Sequence, residues 1–243
     1  MHIPDGFLST PVCLGAGAIS AAAVGVALNV TRRRLTDRQA PLIGVTAAFI
    51  FAAMMLNYPI GFGTSGHVLG ACLAALLLGP LESCLILSLV LLLQCLLFAD
   101  GGLTTLGANI LNMGVVASFT GYGAHALLGW VLPRRWRESR VGFLARAAVA
   151  AWVSVVLAAV CCAGELTLSG TTGAQAGVVF GLIVGVHALI GIGEAFMTVA
   201  VLSLLTQARP DLVRAWRPSA TPAFEPPAAS PTPGSGLLPE AQP

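Results

Sequence analysis

Seven apolar runs, bounded by turn residues or by arginine, fill almost all of residues 1–207, and no other property of the chain narrows its fold so far. Backbone polar groups can be hidden in lipid only within helices or closed barrels, and runs near 20 residues have the length of a spanning helix. Of 243 residues 56% are hydrophobic and only 9% charged, against roughly 25% charged in soluble domains. The chain therefore reads as an all-α, polytopic membrane bundle whose first partner is the lipid bilayer. Its twelve basic residues are all arginine and flank the apolar runs, so a net charge of +2 offers nucleic acid no binding face. Cys13, Cys72, Cys84, Cys95, Cys161 and Cys162 lie within apolar runs without C-x-x-C spacing and read as small core hydrophobes. The first basic cluster follows the first apolar run instead of preceding it, which is not the pattern of a cleavable signal peptide.

Arginine placement orients the spans. The first, about Pro11 to Val30, is followed by Arg32, Arg33, Arg34 and Arg38, so that end faces the cytoplasm and Met1 faces out. Its small-residue pairs, Gly17 with Ala21 and Ala18 with Ala22, favour close helix packing. The second, about Pro41 to Asn57, leads to a Gly-rich outer loop, YPIGFGTSG. The third begins at His67 and runs to Gly79 or a little beyond. Those 13 residues make only about 20 Å of helix against a hydrocarbon core of roughly 30 Å, so the loop before His67 dips into the bundle. Gly79 and Pro80 mark either its inner end or a kink. The fourth, about Ser83 to Ala99, reaches DGGLTTLGAN. The fifth, from about Thr105 to Leu132, ends before Arg134, Arg135, Arg137 and Arg140, with Trp130 and Trp136 as interfacial anchors. The sixth, about Ala147 to Ser169, has Arg146 at its inner edge and Glu165 near its outer one. The seventh, about Ala176 to Thr206, ends before Arg209, Arg214 and Arg217. Seven spans place the N-terminus outside and the C-terminus in the cytoplasm. Residues 208–243 read as a Pro-rich, disordered cytoplasmic tail, with eight of the fifteen prolines after 217.

The same partition puts Met1, His2 and His67 on one face, and their chemistry points to a metal ion. The α-amine of Met1, the backbone nitrogen of His2 and His2 Nδ1 can close a five-membered and then a six-membered chelate ring. His67 would complete a four-nitrogen plane, a set suited to Ni(II) or Cu(II). Methionine is trimmed mainly before small residues, so His2 should leave Met1 in place. Ordinary pKa values are about 7.7 to 8.0 for the amine and about 6.5 for the imidazole, so binding must displace protons and affinity should fall with pH. Pro4, Asp5 and Gly6 form a turn signal that folds residues 1–3 back toward the protein. A frayed, solvated terminus is the alternative. Outer carboxylates are few (Asp5, Asp100 and Glu165), which argues against an oxygen-rich Ca or Mg site.

Other polar residues are assigned by position. Thr64 and Ser65 adjoin His67 and either orient its ring or serve the turn. Asn109 and Asn112, one turn apart, face the cavity or bond between helices. His187 and Glu194 share a face of the seventh helix but lie deep, on the far side from a shallow outer site, and read as coupling or packing groups. His125 reads as structural. Two rival functions remain open. Gly63, Thr64, Ser65 and Gly66 spell G-x-S-G, and an intramembrane serine protease would use Ser65 with His187 as base. A stand-alone divalent metal channel or secondary transporter would need no ATPase; the chain has no Walker A motif of its own.

MHIPDGFLS at the N-terminus, GTSGHVLG around His67 and DGGLTTLGANILNMG after the fourth span together resemble the CbiM/NikM family over roughly residues 1–207. These are substrate-binding (S) membrane components of energy-coupling factor (ECF) transporters for nickel and cobalt. The resemblance implies a seven-helix bundle of the inner cell membrane. In it the Met1 amine, the His2 backbone nitrogen, the His2 imidazole and the His67 imidazole hold Ni2+ or Co2+ as transported substrate. It also implies a transmembrane coupling (T) subunit, cytoplasmic ATPases and, in many systems, a small accessory membrane subunit. Such uptake would feed cobalamin synthesis or nickel enzymes. Between the two metals the sequence does not choose.

Overall fold

A computed structural model describes residues 1–36 and 39–216. Helix α1 (Thr10–Arg34) starts with proline in its first turn and ends on Arg32, Arg33 and Arg34, cations well placed against the negative end of the helix dipole. After α2 (Gln39–Met54) the chain forms a hairpin of β1 (Tyr58–Gly61) and β2 (Thr64–Gly66), paired antiparallel as Tyr58 with Gly66, Pro59 with Ser65 and Gly61 with Thr64. This corrects the all-α expectation at one place. Phe62 and Gly63 both have positive φ (49° and 71°), the conformation that a two-residue hairpin turn requires. A side chain at Gly63 would collide with the Phe7 ring.

The third run also differs from expectation. His67 lies outside any helix, and α3 (Ala71–Leu77) opens four residues later. The reason is tertiary: Gly70 takes φ 70°, and the Glu194 carboxylate accepts hydrogen bonds from Leu69 N–H and Gly70 N–H, each at 2.7 Å. Every residue of α3 is buried. Gly79, at φ 121°, then breaks the chain before α4 (Pro80–Phe98), so 71–98 is two helices and not one kinked helix. Beyond it, α5 (Leu106–Asn109), a π-helical stretch (Ile110–Val116) and α6 (Ala117–Val131) form a continuous rod. The short α7 (Arg134–Glu138) precedes α8 (Arg140–Ser169), which begins before the expected Ala147 because Ser139 Oγ caps it, accepting from Gly142 N–H at 3.0 Å. Arg146 is thereby inside the helix and buried. Helix α9 (Ala176–Ala208) is the longest.

Among the described residues, four helices, α1, α4, α8 and α9, are long and apolar enough to cross a membrane; α2 is apolar but shorter. The core is finely grained along α8, where Ala147, Ala150, Ala151, Ala158, Ala159 and Ala163 are fully buried and let α9 approach closely. In α1 the inward face is Ala16, Ser20, Ala27 and Thr31, whereas Ala18, Ala21 and Ala22 point outward. Close approach of α1 instead occurs where Gly17 meets Gly107, with no room for a Cβ on Gly107.

Residues 209–216, assigned by the sequence to the tail, fold back onto α3. Arg214 N–H and Ala215 N–H donate to the Leu77 and Leu76 carbonyls at 3.0 Å each, and the Arg214 guanidinium donates to Leu78 O at 2.7 Å. The remaining tail, 217–243, and Arg38 lie outside the described residues.

Candidate metal centre

The N-terminal strand is tied down residue by residue. Asp5, in the Pro4-Asp5-Gly6 turn, accepts hydrogen bonds from Leu103 N–H (3.1 Å) and Thr104 N–H (2.8 Å). These bonds, with one from the Thr104 hydroxyl, hold its carboxyl below the usual range. Ile3 N–H donates to Asn109 Oδ1 at 2.9 Å, while the Ile3 carbonyl accepts from Asn109 Nδ2 (3.1 Å), Gly102 N–H (3.0 Å) and the Thr105 hydroxyl. Asn109 thus reads both polar groups of one peptide residue. Its place is at the N-terminal end of the 106–131 rod. The turn and this clamp bury the side chains of Met1 and Ile3 completely.

Residues 1 and 2 then meet the segment that follows the hairpin. The Met1 amine donates to the Ser65 carbonyl and lies 3.0 Å from His67 Nε2. His67 Nδ1 donates to the Val68 carbonyl at 2.8 Å, so in the neutral ring the lone pair is on Nε2, the atom that faces the amine. The His2 and His67 rings are 4.7 Å apart, centroid to centroid. His2 Nε2 lies 3.2 Å from Gln94 Oε1 and His2 Nδ1 lies 3.2 Å from Asp100 Oδ1. With the Gln94 oxygen assigned to that side, the neutral ring carries its proton on Nε2 and leaves Nδ1 as a lone pair. The His2 backbone nitrogen makes no hydrogen bond among the described residues, although the residue is only 2% exposed. A buried peptide nitrogen without a partner is rare.

Electrostatics favour the unprotonated state of these nitrogens. Burial pushes the Met1 amine from 8.0 down to about 5. Burial, and then the charge of the amine, push the His2 imidazole from 6.5 down to about 3. Both groups are therefore neutral at pH 7 before any ion arrives. The arrangement offers a cation three nitrogen lone pairs with little competition from protons, and the His2 backbone nitrogen as a fourth donor once its amide proton is displaced.

The other predicted residues separate. Ser65 contributes its carbonyl to the amine and places Oγ 3.4 Å from His2 Nδ1. Thr64 Oγ1 donates to Gly61 O at 2.8 Å and so closes the hairpin instead of orienting His67. Asn112 donates to Glu165 Oε2 at 2.6 Å, between helices, and bonds none of Met1, His2 or His67 among the described residues. No hydrogen bond joins Ser65 to His187 among the described residues, so the nucleophile and base of the protease alternative are not paired. The cysteines are free, with Cys72, Cys84 and Cys162 buried.

The family model described as the cobalt uptake substrate-specific transmembrane region matches residues 2–212. The chain belongs to the CbiM family. A putative fused nickel transport protein NikMN of Archaeoglobus fulgidus is 39% identical over 214 residues, covering 88% of this chain and 68% of that protein. The cobalt transport protein CbiM of Sorangium cellulosum is 34% identical over 217 residues, with 88% and 94% covered. A crystal structure of a truncated transition metal transporter superposes with a TM-score of 0.78 at 33% identity, covering 85% of this chain and 99% of that one. As a CbiM-family chain with apolar helices of spanning length, it is a multi-pass membrane protein.

Three residues around this candidate site escape a reading of the sequence. Gln94 and Asp100 flank the His2 ring, and Glu194 fixes the backbone two and three residues after His67. Glu194 was expected far from the ligands. The non-helical segment 67–70 reaches it, so a side chain of α9 holds the backbone next to His67. Asp100 carried a weak signal as one of the few outer carboxylates; Gln94, inside an apolar run, carried only its polarity.

Proposed function

We propose that this chain is the substrate-capture membrane subunit of an ATP-driven energy-coupling factor importer for Ni2+ or Co2+. The observation that carries the reading is the convergence of the buried Met1 amine, the unpartnered His2 backbone nitrogen, His2 Nδ1 and His67 Nε2 at the head of the molecule. Nitrogen donors in this number suit Ni2+ and Co2+ and offer little to Mg2+ or Ca2+. The names of the relatives, nickel and cobalt transport proteins, agree with that donor set.

In this reading the chain crosses the membrane seven times. Segments α1, α2, 67–77, α4, the 106–131 rod, α8 and α9 are the spans, and 67–77 crosses as a short helix preceded by non-helical backbone lined by protein. The N-terminus is outside and the arginine-flanked ends are cytoplasmic. A transmembrane coupling subunit and cytoplasmic ATPases supply the work, with a small accessory membrane subunit as a further partner. Residues 1–3 clamp the ion, and Asn109 with Asp5 holds the clamp in register. Release then requires residues 1–3 and segment 65–67 to part, because they supply the two halves of the ligand set.

The test is metal-competition binding on purified protein. One Ni2+ per chain should bind with a native amine at Met1, and replacing both His2 and His67 by alanine should abolish it. Retention of one tight Ni2+ in the double variant overturns the proposal.

A further inference from the structure

His187 is fully buried on α9, and its ring is half used. Nδ1 donates to the Ile183 carbonyl one turn back at 2.8 Å, which leaves the lone pair of the neutral ring on Nε2. Nε2 has no hydrogen-bond partner among the described residues. The register of α9 places position 187 on the face turned toward the hairpin and the segment that carries His67. Leu182 stands against Gly61, Ile190 stands against Gly66, and Glu194 bonds the backbone at Leu69 and Gly70. Position 187 falls between the first two contacts, on the buried face formed with Ile183, Ile190 and Glu194, and so at the level of Ser65, whose carbonyl receives the Met1 amine. The His67 ring and the amine both lie within electrostatic reach of His187.

We propose that His187 Nε2 is an apical fifth donor to the four-nitrogen plane, and that it determines how well the site accepts Co2+ relative to Ni2+. The inference rests on the metal-capture reading above. Ni2+ is satisfied by four coplanar nitrogens of a strong-field set, and a fifth donor adds little. Co2+ gains no comparable benefit from a plane and takes a further ligand when one is at hand, so geometry and not raw affinity sets the preference. Cys162 is also buried within electrostatic reach of the amine. His187 is favoured over it because a lone pair is already fixed on the imidazole without loss of a proton.

The test uses purified full-length protein with a native N-terminus, titrated with Ni2+ alone and Co2+ alone, with the Co2+ absorption spectrum recorded. His187→Gln keeps an amide donor for the Ile183 carbonyl but replaces the imidazole lone pair by a poor oxygen donor. It should weaken Co2+ by about tenfold or more, as expected for a group that tunes a bound metal, while changing Ni2+ by less than about twofold. The Co2+ spectrum should change with it. His187→Met, which restores a soft donor without the Ile183 bond, should recover part of the Co2+ affinity. Equal losses of both metals, or an unchanged Co2+ spectrum in His187→Gln, would show a packing role and overturn the proposal; so would a metal preference moved by Cys162→Ala and not by His187→Gln. His67→Ala serves as the control for the underlying reading. If it retains both metals the four-nitrogen plane itself is refuted, and the apical donor falls with it.

Discussion

The layer that carries the candidate ligands and the helical bundle next to it satisfy their backbones in different ways. In the bundle, helices bond internally, and stability comes from apolar and alanine-rich faces such as that of α8 against α9. In that layer, residues 1–5, 64–70 and 101–105 are non-helical and more than half of them are buried, and side chains remote in sequence supply the missing partners. Asn109 serves Ile3, Asp5 serves Leu103 and Thr104, and Glu194 serves Leu69 and Gly70. Substitutions in the bundle should therefore cost stability, whereas loss of one of these side chains should loosen the site within a folded protein.

Four substitutions and a titration test that contrast, and their expected effects descend in size. His67→Ala removes a donor outright, and Ni2+ affinity should fall by more than about 100-fold, since outer partners of a ligand alone are worth 10–100-fold. Isothermal titration would show it, with the unfolding midpoint in the metal-free protein little changed. Glu194→Ala leaves two buried N–H groups without an acceptor, each worth about 1–3 kcal/mol. Affinity should drop by about 10–100-fold, with Glu194→Gln between it and the native chain. Asn109→Ala strands the Ile3 N–H and removes one of three donors to the Ile3 carbonyl, and a drop of about tenfold in affinity is expected. If Asn109→Ala instead unfolds the protein as readily as a core truncation does, the separation of layer from bundle is wrong.

The pH titration follows from where the donors are buried. With the amine near 5 and His2 near 3, both are unprotonated from pH 8 to pH 6. The one proton displaced over that range is that of the His2 backbone amide, so Ni2+ affinity should fall by about tenfold per unit from pH 8 to 6 and more steeply below about pH 5. A fall approaching a hundredfold per unit between pH 8 and 6 would mean a solvated amine. The smallest effect belongs to Thr64→Ala, which removes one hairpin bond worth about 0.5–1.5 kcal/mol. Ni2+ binding should stay within about twofold of native, and a larger loss would return Thr64 to a role at His67.

What the sequence discloses follows the same division. Six of the seven apolar runs coincide with α1, α2, α4, the 106–131 rod, α8 and α9, to within a few residues except at the start of α8, because composition and flanking arginines govern them. The remaining one was misjudged at its start, since a carboxylate 125 residues away stops the helix from reaching His67. The 58–66 hairpin looked like a Gly-rich loop because its strands are short and only the Phe62-Gly63 turn is distinctive. The π-helical stretch at Ile110–Val116 has no periodic signature in so apolar a run. Met1, His2 and His67 stood out because such donors are scarce in this chain. Gln94, Asp100 and Glu194 did not, because pairings across the molecule leave no local spacing to read.

The most direct test of the central claim adds one residue before Met1. The former terminal amine becomes an amide within a buried pocket, and a donor is lost. Purified protein carrying the added residue should bind Ni2+ at least about 100-fold more weakly than protein that begins at Met1, in line with the loss of a direct ligand. Equal affinity for the two forms would contradict coordination by the amine.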